Sequence, residues 1–121
     1  MTKEERKELF LDICARLPYD VVVSVEFVDG GGEETLDARD LVDIEDSVYD
    51  ETENEYPVYK PYLRTLSETN MTELESVYYN TKFPFANATE KMDWLNAHHF
   101  DYRGLIGKGI ALEAPKDMYE F

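Results

Sequence analysis

The sequence predicts an α+β fold, a small antiparallel sheet of two to four strands packed against three to four helices. Three observations predict it. Leu9, Ile13 and Leu17 recur every fourth residue, Val21, Val23, Val25 and Phe27 recur every second, and helical spacing returns behind two Asn-led capping patterns in the C-terminal half. A chain of 121 residues is the size of one domain, and 43% hydrophobic content with 13% aromatics supplies a core that an acidic tail lacks.

The first helix runs over 2–17. Thr2 and Glu5 form a capping box, Phe10 and Cys14 flank the apolar stripe, and Pro18 stops it. A strand follows over 21–28, and Asp29-Gly30-Gly31-Gly32 reads as a turn, with a partner strand from about Thr35. Residues 36–50 carry two patterns. Val42 and Ile44 alternate with Asp43 and Glu45, as in a strand, while Asp37, Asp40, Asp43, Asp46, Asp50 and Glu53 are spaced as an acidic stripe on a helix. Mediocre helix propensity and self-repulsion along that stripe favour the strand. Tyr49 to Glu55 reads as a loop, and Val58 to Leu63 as a strand that Pro61 places at an edge or ends. Asn70 with Glu73 caps a helix to about Asn80 that buries Leu74, Val77 and Tyr78. Asn87 with Glu90 caps another over 88–98, with Met92 and Leu95 inward and Trp94 beside them. A short turn from Asp101 to Lys108 ends at Gly107 and Gly109, and Ile110 to Ala114 is a short apolar piece.

Several segments carry a family resemblance. Cys14-Ala15-Arg16-Leu17-Pro18-Tyr19, Lys60-Pro61-Tyr62-Leu63-Arg64, Met71-Thr72-Glu73, the stretch Asp93-Trp94-Leu95-Asn96-Ala97-His98-His99-Phe100-Asp101-Tyr102-Arg103-Gly104-Leu105-Ile106 and Ala111-Leu112-Glu113-Ala114-Pro115 together span about half the chain. They resemble a family of small acidic proteins of gut Bacteroidetes, their phages and other mobile elements. The chain departs from that pattern at Asp20, where the family has glycine, at Thr65, where it has proline, and in a longer segment after Ser67. The resemblance implies a mobile-element setting and carries over no catalytic residue.

The residues offer little chemistry. His98 and His99 are adjacent and point about 100° apart on a helix, so they do not chelate one metal, and His98 with Asp101 is two ligands short of a zinc site. Cys14, the single cysteine, lies on an apolar stripe and reads as packing rather than as a nucleophile. Gly104-Leu105-Ile106-Gly107-Lys108-Gly109 lacks the spacing and hydroxyl of a phosphate loop. Asp43, Glu45 and Ser47 fit the start of a calcium loop, but Val48 stands where glycine is needed and Asn54 where glutamate is. No metal, cofactor or catalytic residue is assigned. A lone cysteine, the absence of an apolar leader and aliphatic runs far short of a membrane span make a cytoplasm the expected location.

Charge is the strongest signal. The chain carries 27 acids against 12 Lys and Arg, a net charge of -15, which argues against direct binding to nucleic acid or an anionic membrane surface. Between Glu26 and Glu55 there are 13 acids and one base, Arg39, so nearly all of the excess belongs to one segment. Nine acids lie between Asp37 and Glu55; as one helix they would repeat every ~3 Å, close to the ~3.4 Å of phosphates along a DNA strand. The expected function is a protein-interaction module that occupies a basic, nucleic-acid-binding surface of a host protein. The expected contact residues are Glu33, Glu34, Asp37, Asp40, Asp43, Glu45, Asp46, Tyr49, Asp50, Glu51, Glu53, Glu55 and Tyr56. The alternatives are an accessory or structural protein working through 93–106 and, last, a carboxylate hydrolase.

Overall fold

Thr2 begins the first helix as the sequence leads one to expect. Its hydroxyl accepts from the Glu5 amide at 3.1 Å, and the Glu5 carboxylate accepts from the Thr2 amide at 2.9 Å. In the computed structural model, which describes residues 1–27, 30–49 and 59–121 (the backbone alone at Glu26, Phe27, Gly30 and Tyr49), helix α1 spans Lys3–Arg16 and buries Leu9 and Ile13 completely. A 3-10 turn at Leu17–Tyr19 contains Pro18, and Asp20 then adopts φ 56° and ψ 48°. That left-handed conformation is one glycine enters without steric cost.

Strand β1 (Val22–Phe27) pairs antiparallel with β2 (Gly30–Thr35). The sequence predicts a turn at Asp29-Gly30-Gly31-Gly32 and the partner strand after it. Instead Gly30, Gly31 and Gly32 lie opposite Phe27, Glu26 and Val25, and β2 ends where it was expected to start. The ladder supplies the backbone bonds, so the low strand propensity of glycine does not decide. Positions 28 and 29 lie outside the described residues.

Of the segment 36–50, the described residues 36–49 are not a strand. Asp37 caps a 3-10 turn at Ala38–Asp40, and helix α2 follows at Leu41–Tyr49. The physical reason is tertiary. Ile44 and Val48, four apart, are both fully buried, and α2 packs on α1. Completely burying an aliphatic side chain contributes about 1.5–3 kcal/mol, more than the propensity differences that favoured a strand. Tyr49, expected to open a loop to Glu55, ends α2 instead, and the rest of that loop and the start of the next strand at Val58 fall outside the described residues.

β3 (Tyr59–Thr65) pairs antiparallel with β1 and parallel with two short strands, β4 (Phe100–Asp101) and β5 (Leu112–Glu113). The class is α+β as expected, but the sheet has five strands and is mixed. Pro61 neither sits at an edge nor ends its strand. It lies opposite Val23, whose amide and carbonyl face β2, so no donor to β1 is missed there. Where β1 and β3 part, the Tyr119 hydroxyl bridges them, accepting from the Val22 amide at 2.9 Å and donating to the Tyr62 carbonyl at 2.8 Å.

Helix α3 (Glu73–Thr81) is capped by Thr72 and Glu75, not by Asn70 and Glu73. Its inward residue is Glu75, while Leu74 is 82% exposed and Val77 is exposed too, the reverse of the expected phase. Helix α4 (Ala88–Ala97) starts at its expected Asn87 cap and buries Leu95, with Met92 exposed rather than inward. Trp94 stacks on Tyr78 and Phe100 at 5.3 and 5.5 Å. The Asp101 carboxylate accepts from the Leu105 and Ile106 amides, and Gly104 and Gly109 take positive φ in the turn that follows.

Candidate interaction face

The acidic side chains reach the surface from two elements. On β2, Glu33 and Glu34 are exposed. On α2, burial of Ile44 and Val48 turns Asp43, Glu45 and Asp46 outward, together with the exposed Val42. The connection between the two elements supplies Asp37 and Asp40, both half-buried. The faces meet at Tyr59, whose phenol is pushed up by burial and then by the charges of Glu34, Asp43 and Asp40. On the far flank of α2, Glu45 adds to the effect of burial in raising the Cys14 thiol. Glu34, Asp40 and Asp43, from β2, the turn and α2, thus approach one another around Tyr59, while Glu45 lies toward Cys14.

Asp37 is partly neutralised. Its carboxylate accepts from the Arg39 amide at 2.8 Å and from the Arg39 guanidinium at 2.7 Å, and these bonds hold its carboxyl below the usual range. The Asp40 carboxylate accepts from the Asp37 amide at 3.0 Å, closing the cap. Among the described residues, Glu33, Glu34, Asp40, Asp43, Glu45 and Asp46 have no ion-pair partner. Of the remaining expected contacts, the Tyr49 side chain and all of Asp50, Glu51, Glu53, Glu55 and Tyr56 lie outside the described residues. A helix carrying all nine acids from Asp37 is not what forms, since Asp37 and Asp40 belong to the cap and the 3-10 turn before α2.

Two charged clusters escaped the sequence reading. Asp12, fully buried, accepts from Arg16 at 2.9 and 3.1 Å, and Arg103 approaches to 3.5 Å. Arg16 also donates to the Phe100 carbonyl at 2.6 Å, tying α1 to β4. Burial raises the Asp12 carboxyl, against the pull of Arg16. The signal was present: Asp12 and Arg16, four apart, share the helix face of Leu9 and Ile13. In the second cluster Glu75 accepts from Arg64 at 2.7 and 2.8 Å and lies 2.6 Å from Nδ1 of His98. Burial raises the Glu75 carboxyl, but the Arg64 bonds, the Thr72 amide and the two neighbouring charges outweigh it and hold it at about 2. Arg64 also donates to the carbonyls of Asn70 and His98 and lies between the rings of Phe100 and Phe121. No local pattern pairs Arg64 with Glu75. Both clusters spend their hydrogen bonds inside the protein and read as clamps.

His99 is the second non-glycine residue with positive φ, at 58°. It occupies the position after the α4 cap, where its amide donates to the Asn96 carbonyl, a site that usually takes glycine. Its Nε2 donates to the Tyr19 carbonyl at 2.8 Å and its ring stacks on Tyr119 at 4.0 Å. Burial, then the charge of Arg16, lowers it to about 4, so the imidazole is neutral at pH 7. His98 and His99 thus turn to different partners, and among the described residues no three metal-ligating side chains come together. No described helix is long and apolar enough to cross a membrane. No family model matches the chain, and no curated protein or solved structure matches it.

Proposed function

We propose that this protein is an interaction module that engages a basic surface of a partner protein through residues 29–56. The observation that carries the reading is the set of six surface carboxylates without a cationic partner among the described residues, Glu33, Glu34, Asp40, Asp43, Glu45 and Asp46. Elsewhere the fold pairs its buried acids with arginine. A face of one sign, left unneutralised, costs self-repulsion and gains long-range attraction for an opposite charge, which speeds encounter and selects the partner. A nucleic-acid-binding groove of a host protein is the sharpest form of that partner, in keeping with the mobile-element setting of the resembled family. The stretch 93–106 supports the accessory reading less well, because Leu95, Asn96, His99, Phe100 and Leu105 are buried and hold the domain together. The hydrolase reading has the least support, since among the described residues the two most deeply buried carboxylates, Asp12 and Glu75, are both held by arginine.

The test compares two variants of equal charge. One carries Glu33→Gln, Glu34→Gln, Asp43→Asn, Glu45→Gln and Asp46→Asn, and the other replaces the exposed Glu4, Glu68, Asp93, Asp117 and Glu120 in the same way. A basic host protein captured by the wild type at low salt is expected to be kept by the second variant, lost by the first, and released as salt rises. Equal retention by both variants would defeat the proposal.

A further inference from the structure

The pairing of β2 fixes where its backbone groups point. The Leu36 amide donates to the Val21 carbonyl at 2.9 Å, so position 36 belongs to the pairs that exchange hydrogen bonds with β1. Alternation along the strand gives the same role to Glu34 opposite Val23 and to Gly32 opposite Val25. Gly31, Glu33 and Thr35 therefore turn their amides and carbonyls away from β1. β2 is an outer strand of the sheet, and among the described residues nothing pairs beyond it. A free edge of this kind is ordinarily blunted by lysine, proline or a bulge. Here residues 31–35 are exposed, a Cβ added at Gly32 would meet nothing within 4 Å, and the only charges are Glu33 and Glu34.

Beside this edge lies a depression of about 440 Å³ lined by Val22, Glu33, Glu34, Thr35, Pro115 and Met118. Apolar side chains together with two carboxylates suit a lysine or arginine, whose stem packs on apolar surface while its head stays near the acids. A second copy of the chain is a poor occupant, because it would bring Glu33 and Glu34 against their own kind and join two chains of net charge -15.

We propose that the outer edge of β2, unpaired among the described residues, is a strand-addition site for an extended, Lys- and Arg-rich segment of a partner protein. The proposal rests on the reading that the partner is basic, and it adds the mode of capture: backbone pairing with Gly31, Glu33 and Thr35 supplies affinity, and the acids choose the sequence.

The full chain is titrated at low salt with a short peptide of alternating Lys and Val. The same peptide N-methylated at alternate amides keeps its charge but cannot complete a ladder. Amide exchange at Gly31, Glu33 and Thr35 is followed by NMR. The expected result is binding of the first peptide, exchange at those three amides slowed at least about tenfold, and affinity for the methylated form lower by a similar factor. Equal affinity for both peptides with unchanged exchange would overturn strand addition and leave the basic-partner reading standing. Failure of both peptides to bind would remove the basic-partner reading and this proposal with it. Slow exchange at the three amides in the free protein would mean the chain covers its own edge, and would also overturn the proposal.

Discussion

Asp20 and His99 share a backbone conformation and differ in everything else. Asp20 is exposed, and among the described residues its side chain makes no hydrogen bond, so its left-handed φ is uncompensated. Asp20→Gly is expected to stabilise by about 0.5–1 kcal/mol, the steric gain being partly offset by the greater freedom of the unfolded chain. His99→Gly relieves the same strain but removes the Tyr19 bond and the Tyr119 stack, and is expected to destabilise by about 1–3 kcal/mol. Urea melts of the two variants check both signs. The pH dependence separates them further. His99 falls from an ordinary 6.5 to about 4 on folding, so the folded state binds fewer protons. Its contribution is complete above pH 6.5 and is lost as pH falls toward 4. His99→Gly should flatten the stability profile in that window, whereas Asp20→Gly should leave its slope there unchanged.

Helix α3 shows how an element can be legible in existence and illegible in phase. Its apolar residues pointed to Leu74 and Val77 as the inner face, yet the helix turns Glu75 inward. The partner that makes this favourable, Arg64, lies on a strand that no helical periodicity can reveal. A buried Arg–carboxylate pair with both oxygens bonded holds the phase, and breaking it strands a charge. Glu75→Gln is expected to cost about 3 kcal/mol, and Leu74→Lys to stay within about 0.5 kcal/mol. Because the Glu75 carboxyl falls from 4.5 to about 2 on folding, its contribution is present above pH 4.5 and disappears as pH drops toward 2. The glutamine variant should lack that acid limb in melts followed across pH. Helix α2 teaches the complementary lesson. Both periodicities were in view, and the choice turned on whether Ile44 and Val48 had something to pack against, which only the placement of α1 decides. Ile44→Ala should therefore cost about 2–4 kcal/mol in a denaturant melt, a loss that a solvated strand residue would not show.

At the scale of the whole molecule, the acidic excess of residues 26–55 was plain in the sequence, and the approach of Glu34, Asp40 and Asp43 to one another around Tyr59 was not. That approach required β2, the turn after it and α2 to set these carboxylates around Tyr59 on β3. The crowded face should respond to screening. Between about 0.02 M and 0.5 M monovalent salt the Debye length shrinks from roughly 20 Å to about 4 Å. The thermal midpoint is expected to rise by about 3–6 °C, equivalent to about 1 kcal/mol for a domain of this size. A scanning calorimetry series checks it, and the variant with five acids of the face replaced should respond much less. The core, by contrast, was readable almost position by position in α1 and β1, where periodicity and burial agree. The Asp12–Arg16 pair left a trace in its helical spacing, whereas Glu75 and its strand partner Arg64, eleven positions apart, left none.

The hydroxyl of Tyr119 bears on the order in which the fold assembles. It closes the seam between β1 and β3, and it reaches Val22 from 97 positions away along the chain. A contact of such separation forms late, because the entropy of closing so large a loop is recovered only once the surrounding sheet is in place. The seam therefore belongs to the descent from the transition state rather than to the climb. Burial raises the phenol to about 12, so it keeps the proton it donates to Tyr62 throughout the neutral range. Tyr119→Phe leaves the Val22 amide and the Tyr62 carbonyl without that partner, a loss of about 1–2 kcal/mol. In stopped-flow chevrons that loss should fall almost wholly on the unfolding arm, about tenfold faster, with the refolding arm unmoved. The domain would then fold as readily without its latch and live a shorter time in the folded state.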